Sequence, residues 1–288
     1  MDCKLLIIGV NGMLGSALFK YFNERTNIST YGLLRNKNKA PNSYEYFKSE
    51  RIMEKDFLDL NNLDEILNDL SPNIIFNCIG IVKQNPLSKD LESSIKVNSL
   101  FPHLLNKLTL KFKARLIHFS TDCVFSGLKG NYLENDFADA NDIYGRSKFL
   151  GEISSEGNIT IRTSFIGKEL GTNRALLNWF LSQKEKITGY KNAIYSGLTT
   201  LEIARVLDKY VIPNPDLQGL YHLSAENIDK YSLLSLLNKV YKKHIFIEED
   251  SNIIIDRSLN SYKFRNETGY KPLQWEKAIE EMREFGGI

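Results

Sequence analysis

A glycine-rich turn, set between an apolar run and an amphipathic stretch, constrains this chain more than any other feature. Residues 4–9 read as a short strand and 13–23 as a helix, and between them lies Gly9-Val10-Asn11-Gly12-Met13-Leu14-Gly15. Glycines there let the backbone turn tightly and let the helix pack close against the strand. The helix N-terminus is left with open N–H donors and a positive dipole, which suit a pyrophosphate. The spacing is GxxGxxG rather than the commoner GxGxxG, and the competing reading is an ordinary strand-to-helix turn. The reading takes Gly9, Asn11, Gly12, Met13, Leu14 and Gly15 as the phosphate-binding set.

The rest of the N-terminal half repeats this rhythm. Strands are predicted at 28–34, 51–55, 73–78, 114–119 and 158–163, with helices at 60–70, 91–110 and 142–154. Such alternation predicts an α/β fold, a Rossmann-type doubly wound parallel sheet with helices on both faces. Runs such as NIIFNC suit strands buried on both sides. Beyond residue 165 the rhythm changes. Helices are predicted at 174–183, 201–210, 231–241 and 275–285, and strands at 219–224 and 244–249. The expected organisation is a nucleotide-binding domain over 1–165 and a smaller, mainly substrate-binding α/β lobe over 166–288. Some exchange of chain between the two is expected.

Composition narrows the class. Hydrophobic residues make up 42% and charged residues 25%, as in ordinary globular proteins. A net charge of +2 gives no nucleic-acid surface. Cys3, Cys78 and Cys123 form no disulfide framework, and neither they nor the histidines have metal-ligand spacing, so no metal is expected. His118 and His222 lie in apolar strands and read as core residues. The apolar run at 5–10 is too short for a signal peptide or a membrane span, which predicts a cytoplasmic protein with no membrane partner.

The end of the second strand selects the dinucleotide. An acid there would bind a ribose 2′-hydroxyl, but this chain has Arg35, followed by Lys37 and Lys39. A guanidinium can clamp a 2′-phosphate through two parallel hydrogen bonds, so NADPH is expected. The plainer alternative is a solvated basic loop. Asp56, after the third strand, could reach an adenine amino group or simply serve as a turn residue.

Tyr144 and Lys148 carry the main chemical signal. Four residues apart on a helix, they share a face. An ammonium beside a phenol lowers its pKa from about 10 and makes it a usable proton donor to a carbonyl oxygen. Ser120-Thr121-Asp122 follows a strand and falls at the carboxyl edge of the sheet, where open α/β sheets place their sites. Thr121 could there hydrogen-bond the same carbonyl oxygen, or cap a helix. Asn98 could order a water in the proton path, or brace buried backbone.

These segments resemble the extended short-chain dehydrogenase/reductase family. The resemblance rests on the GxxGxxG loop, NCIG (which holds Cys78 and, in the same segment, Gly80), STDCVFSG, YGRSK and IRTSFIG. Within that family STDCVFSG, GLYHLSAEN, Arg257 and the following SLNSYKF are similar to the dTDP-4-dehydrorhamnose reductases. The resemblance covers nearly the whole chain. It implies Thr121, Tyr144 and Lys148 as the catalytic set, with Cys78, Gly80, Asn98, Tyr144 and Lys148 against the cofactor. The implied reaction is NADPH-dependent reduction of the C4 keto group of a nucleotide-linked 4-keto-6-deoxy sugar, in polysaccharide precursor synthesis.

The loop Gly80-Ile81-Val82-Lys83-Gln84-Asn85 departs from the Ala-rich, acid-containing segment of the rhamnose enzymes. It resembles instead reductases of UDP-linked 2-acetamido-6-deoxy-4-keto sugars, and implies such a substrate, with dTDP-4-dehydrorhamnose as the alternative. Lys83 and Gln84 are candidates to reach the sugar, and Asp122 to line it. Lys168, Arg174 and Arg257 are candidate diphosphate ligands. Trp179 could stack on the nucleobase or belong to the core. Thr121-Asp122-Cys123 lacks the glutamate that 4,6-dehydration requires, and Arg35 argues against an NAD-retaining epimerase. A different class remains: an NADP-binding regulatory subunit without turnover, as in a regulator of a methionine adenosyltransferase. The expected partner is a nucleotide-diphosphate sugar. The oligomeric state stays open, a homodimer being one option.

Overall fold

The computed structural model describes residues 3–36, 49–83, 87 and 90–287. Six strands of the N-terminal half are β1 (Cys3–Ile8), β2 (Ile28–Leu34), β3 (Ile52–Glu54), β4 (Ile74–Asn77), β5 (Arg115–Ser120) and β6 (Ile159–Arg162). With the strand Gly219–His222 they form a seven-stranded sheet, and every pairing in it is parallel. The order runs Gly219–His222, β6, β5, β4, β1, β2, β3. The order reverses between β1 and β4, and a crevice for a ligand opens at such a reversal, beyond the carboxyl ends of the strands. The doubly wound α/β fold expected from the sequence is the one found.

Alternation along β1 explains the two layers. Leu5 and Ile7 face one way, packing with α1 (Met13–Asn23) through Leu14, Leu18, Phe19 and Phe22. Leu6 and Ile8 face the other, onto Leu63, Ile66 and Leu67 of α2 (Leu60–Leu70). Burial on both faces accounts for the unbroken apolar strands.

The helix expected at 91–110 is three pieces. A short α3 (Leu91–Ser94) runs into a π-helical segment, Ile95–Leu100, and then α4 (Phe101–Phe112). Wide turns of this type mark places where a side chain is turned to a special use. Asn98 lies within it.

Residues 166–288 hold more strands than the sequence reading expected. Ala193–Tyr195 lies between Ile228–Asp229 and Ile255–Asp256, while Ile187–Tyr190 pairs with Ile247–Asp250. At two to four residues each, these strands are too short to leave a period in the sequence. Gly219–His222 is not part of these sheets but returns to the central sheet beside β6. The main apolar cluster runs without a break from α1 and the sheet to Phe180, Leu233, Leu237, Phe264 and Ile279. The two expected lobes therefore share one core. Among the described residues no helix is long and apolar enough to cross a membrane, and no cluster of His, Cys, Asp and Glu could hold a metal.

Candidate active site

The glycine turn is built for close approach. Gly9 has φ +86°, a left-handed conformation, and its N–H donates to Leu33 O at 2.9 Å. A Cβ on Gly15 would lie 2.3 Å from Gly9 O, so only glycine lets α1 start this near β1. Gly12 is the N-cap of α1 and provides no side-chain cap. The first amides of an eleven-residue helix are thus left for an anionic group. This turn fits the pyrophosphate of a dinucleotide: Gly9 and Gly12, whose N–H groups bond Leu33 O and Gly9 O, would shape it, and Asn11, Met13, Leu14 and Gly15 would line it.

Arg35 follows β2 directly and is exposed, its guanidinium 5.5 Å from the centre of the Phe57 ring. Asp56 is exposed as well, and its carboxylate accepts from Leu58 N–H at 3.1 Å, as a turn residue does. Lys37, Lys39 and Gln84 lie outside the described residues.

β5 ends at Ser120 and delivers Thr121 to the carboxyl edge. The Thr121 side chain caps the single turn Asp122–Val124, accepting from Cys123 N–H and donating to Asp122 Oδ1, both at 3.1 Å. Capping fixes its rotamer on the turn against which α5 packs, and its hydroxyl acts on the Tyr144 phenol, opposing the rise that burial causes. Tyr144 lies on α5 (Ile143–Leu150), whose N-cap Asp142 accepts from Gly145 N–H at 2.9 Å. A Cβ on Gly145 would lie 2.2 Å from Cys123 O, so this glycine brings α5 against the Thr121 turn.

The sequence places the Lys148 ammonium beside the Tyr144 hydroxyl. Lys148 Nζ donates to Phe119 O at 2.7 Å, at the end of β5. Burial pushes the Tyr144 phenol above its ordinary range, with Cys123 adding to the rise and the Thr121 hydrogen bond opposing it. Burial also drives Lys148 down to about 8, against the nearby Glu152 and Cys78. Burial thus keeps the phenol protonated, while the lysine, though lowered, still carries its charge at neutral pH.

Asn98 braces this arrangement. Its amide exchanges hydrogen bonds with the backbone of Ile81 at 2.8 and 3.1 Å and donates to Ser147 Oγ at 3.1 Å. The segment after β4 and α5 are thereby locked to one side chain. Gly80 lies between Asn98 and Lys148, a Cβ there falling 3.6 Å from Asn98 Oδ1 and 4.0 Å from Lys148 Nζ. Cys78 is half-buried at the same strand end, its thiol pushed up by burial.

Sequence reasoning missed a supporting network beneath these residues. Arg162 and Glu152 form a bidentate pair at 2.7 and 2.8 Å, and Ser120 Oγ donates to Glu152 at 2.6 Å. It ties β5, β6 and the end of α5 together just behind Thr121. Arg162 stands in IRTSFIG, but nothing local in the sequence pairs it with Glu152. His118 and His222 are fully buried in their strands.

The substrate-side candidates are dispersed. Lys83 pairs with Asp142 at 2.8 Å, which joins the loop after β4 to the N-cap of α5. Asp122 is buried beside Thr121. Arg257 donates from Nε to Phe125 O at 2.8 Å, and its charge reaches Cys123 and Asp142. Lys168 Nζ donates to Gly286 O at the end of the helix Trp275–Gly286. Arg174 is exposed, and Trp179 is half-buried against the main core.

The family model for the RmlD substrate binding domain matches residues 3–285. The chain belongs to that family. It is similar to the dTDP-4-dehydrorhamnose reductase of Aggregatibacter actinomycetemcomitans, 25% identical over 98% of this chain and 99% of that protein. It is also similar to the spore coat polysaccharide biosynthesis protein SpsK of Bacillus subtilis (strain 168), 24% identical over 96% of each. Among solved structures, the dTDP-4-dehydrorhamnose reductase of Bacillus anthracis str. Ames in complex with NADP superposes with a TM-score of 0.79. It is 19% identical, over 98% of this chain and 99% of that one, and so shares the fold.

Proposed function

We propose that this chain is an NADPH-dependent reductase of the C4 keto group of a nucleotide-linked 4-keto-6-deoxyhexose, serving polysaccharide precursor synthesis. One observation carries the reading: Thr121, Tyr144 and Lys148 converge at the carboxyl edge of β5, next to a glycine turn fitted to a dinucleotide. NADPH, when bound, supplies the hydride. Arg35, exposed just after β2, would bind its 2′-phosphate. As the carbonyl is reduced, charge builds on its oxygen. Tyr144 donates a proton to that oxygen and Thr121 a hydrogen bond. Lys148 supplies positive charge beneath them, and Asn98 holds α5 in register with the loop after β4.

The sugar is better read as dTDP-4-dehydrorhamnose than as the UDP-linked 2-acetamido sugar that the loop after β4 implies. Full-length similarity to a protein of that name supports it. The test is a panel of dTDP- and UDP-linked 4-keto-6-deoxy sugars with NADPH, with products identified by NMR. The highest kcat/KM should fall on the dTDP substrate. A higher value for the UDP-acetamido sugar would reverse the choice of substrate, and no NADPH oxidation across the panel would overturn the reductase reading.

A further inference from the structure

Lys230 belongs to no motif, yet the second lobe carries it to the reacting edge of the first. It opens the helix Lys230–Val240, whose N-cap Asp229 accepts from Ser232 N–H at 2.8 Å and Ser232 Oγ at 2.6 Å. Asp229 also ends the short strand that pairs with Ala193–Tyr195, with Ile228 opposite Tyr195. Strand and cap together fix where the Lys230 side chain begins. Its ammonium sits over the Tyr195 ring, 3.9 Å from the centroid.

The ring beneath it is fixed too. Tyr195 is buried, lies 5.7 Å from the Trp275 ring, and leaves no room for a Cβ on Gly197, which would fall 2.3 Å from its hydroxyl. Asp122 and Cys123 are electrostatic neighbours of Lys230, and both are also neighbours of Tyr144. Lys230 and Tyr144 therefore approach the turn after Thr121 from different lobes. Among the described residues the ammonium makes no hydrogen bond or ion pair, and burial pulls it down to about 8. Lys230 is half-buried, and an ammonium with three donors and only a ring face for contact has donors to offer a ligand oxygen.

We propose that Lys230 is a substrate-binding residue that donates a hydrogen bond to an oxygen of the hexose and holds C4 toward Tyr144. The contact is with the sugar rather than the diphosphate, because the groups around Lys230 are those flanking Thr121. The proposal rests on the keto-sugar reading for its kinetics but not for its binding measurement.

Lys230→Met and Lys230→Arg test it. Kinetics use the preferred keto-sugar nucleotide, and calorimetry uses NADPH, free dTDP and dTDP-glucose. Lys230→Met should lower kcat/KM and dTDP-glucose affinity by about 10- to 100-fold, the range of a hydrogen bond to a charged group. Free dTDP and NADPH should change less than about threefold, and Lys230→Arg should recover part of the loss. An unchanged dTDP-glucose affinity, or an equal loss for free dTDP, would overturn the proposal. A uniform weakening of every ligand with a lower Tm would also overturn it, by making Lys230 a structural brace. If wild-type protein reduces no keto sugar the reductase reading fails, while the difference between dTDP-glucose and dTDP still decides the role of Lys230.

Discussion

Lys148 Nζ lies 2.7 Å from the carbonyl oxygen of Phe119, so α5 is pinned to the sheet two residues before Thr121. The lysine is a structural strut as well as a charge, and both roles are measurable. Its folded-state pKa is depressed, from 10.5 to about 8. Between those values the unfolded chain binds more protons than the folded one, so stability rises with pH across that window, and the cost is full below about pH 8. Lys148→Met removes the buried charge. At pH 7 it should raise Tm, and it should flatten the rise in stability between pH 8 and 10, while kcat falls. Thermal melts across pH decide it, and a lower Tm at pH 7 would show that the strut outweighs the desolvation.

Tyr144→Phe keeps the ring and removes the hydroxyl. General-acid catalysis is worth about 10²- to 10⁴-fold, and kcat should drop by that factor. NADPH affinity should hardly move, so single-turnover rates and cofactor titration separate chemistry from binding. Near-normal kcat at saturating substrate would remove Tyr144 from the role of acid, and Asp122, buried beside Thr121, would be the next candidate.

Arg35 stands where an acid would select NAD. Arg35→Ala should weaken NADPH by at least tenfold more than NADH, since only NADPH loses a charged hydrogen bond. Titration with both cofactors reads this directly, and equal losses would assign the 2′-phosphate to another group.

The Glu152–Arg162 pair is almost wholly enclosed, with side-chain exposures of 11% and 3%. Glu152→Ala strands a buried guanidinium and should cost about 3–5 kcal/mol in urea unfolding. The double replacement Glu152→Met with Arg162→Met should cost much less than the single one. If it costs as much, the pair contributes more than mutual neutralisation.

Gly151 ends α5, and a Cβ there would lie 1.9 Å from Asn98 O. Gly151→Ala must therefore push α5 away from the π-helical segment. A Tm loss and a kcat loss together are expected, since Asn98 and Lys148 shift with the helix. A variant with wild-type kcat and Tm would show that the segment yields freely.

What the sequence determined by itself is what short-range periodicity encodes. Apolar runs of strand length, amphipathic helices and the glycine turn dictate a doubly wound sheet, because each can bury its apolar face in few other ways. That Tyr144 and Lys148 share one helix was legible for the same reason, since a helix fixes which neighbours lie on a face. Thr121 was legible from its place just past a strand. Tertiary structure decided everything that depends on contacts between distant segments. Only packing turns Lys148 toward Phe119, joins Glu152 to Arg162, sets Lys83 on Asp142 and lays Lys230 over the Tyr195 ring. The physical reason is distance along the chain. Partners tens of residues apart leave no local period, and only the packing of the whole fold sets one side chain against another.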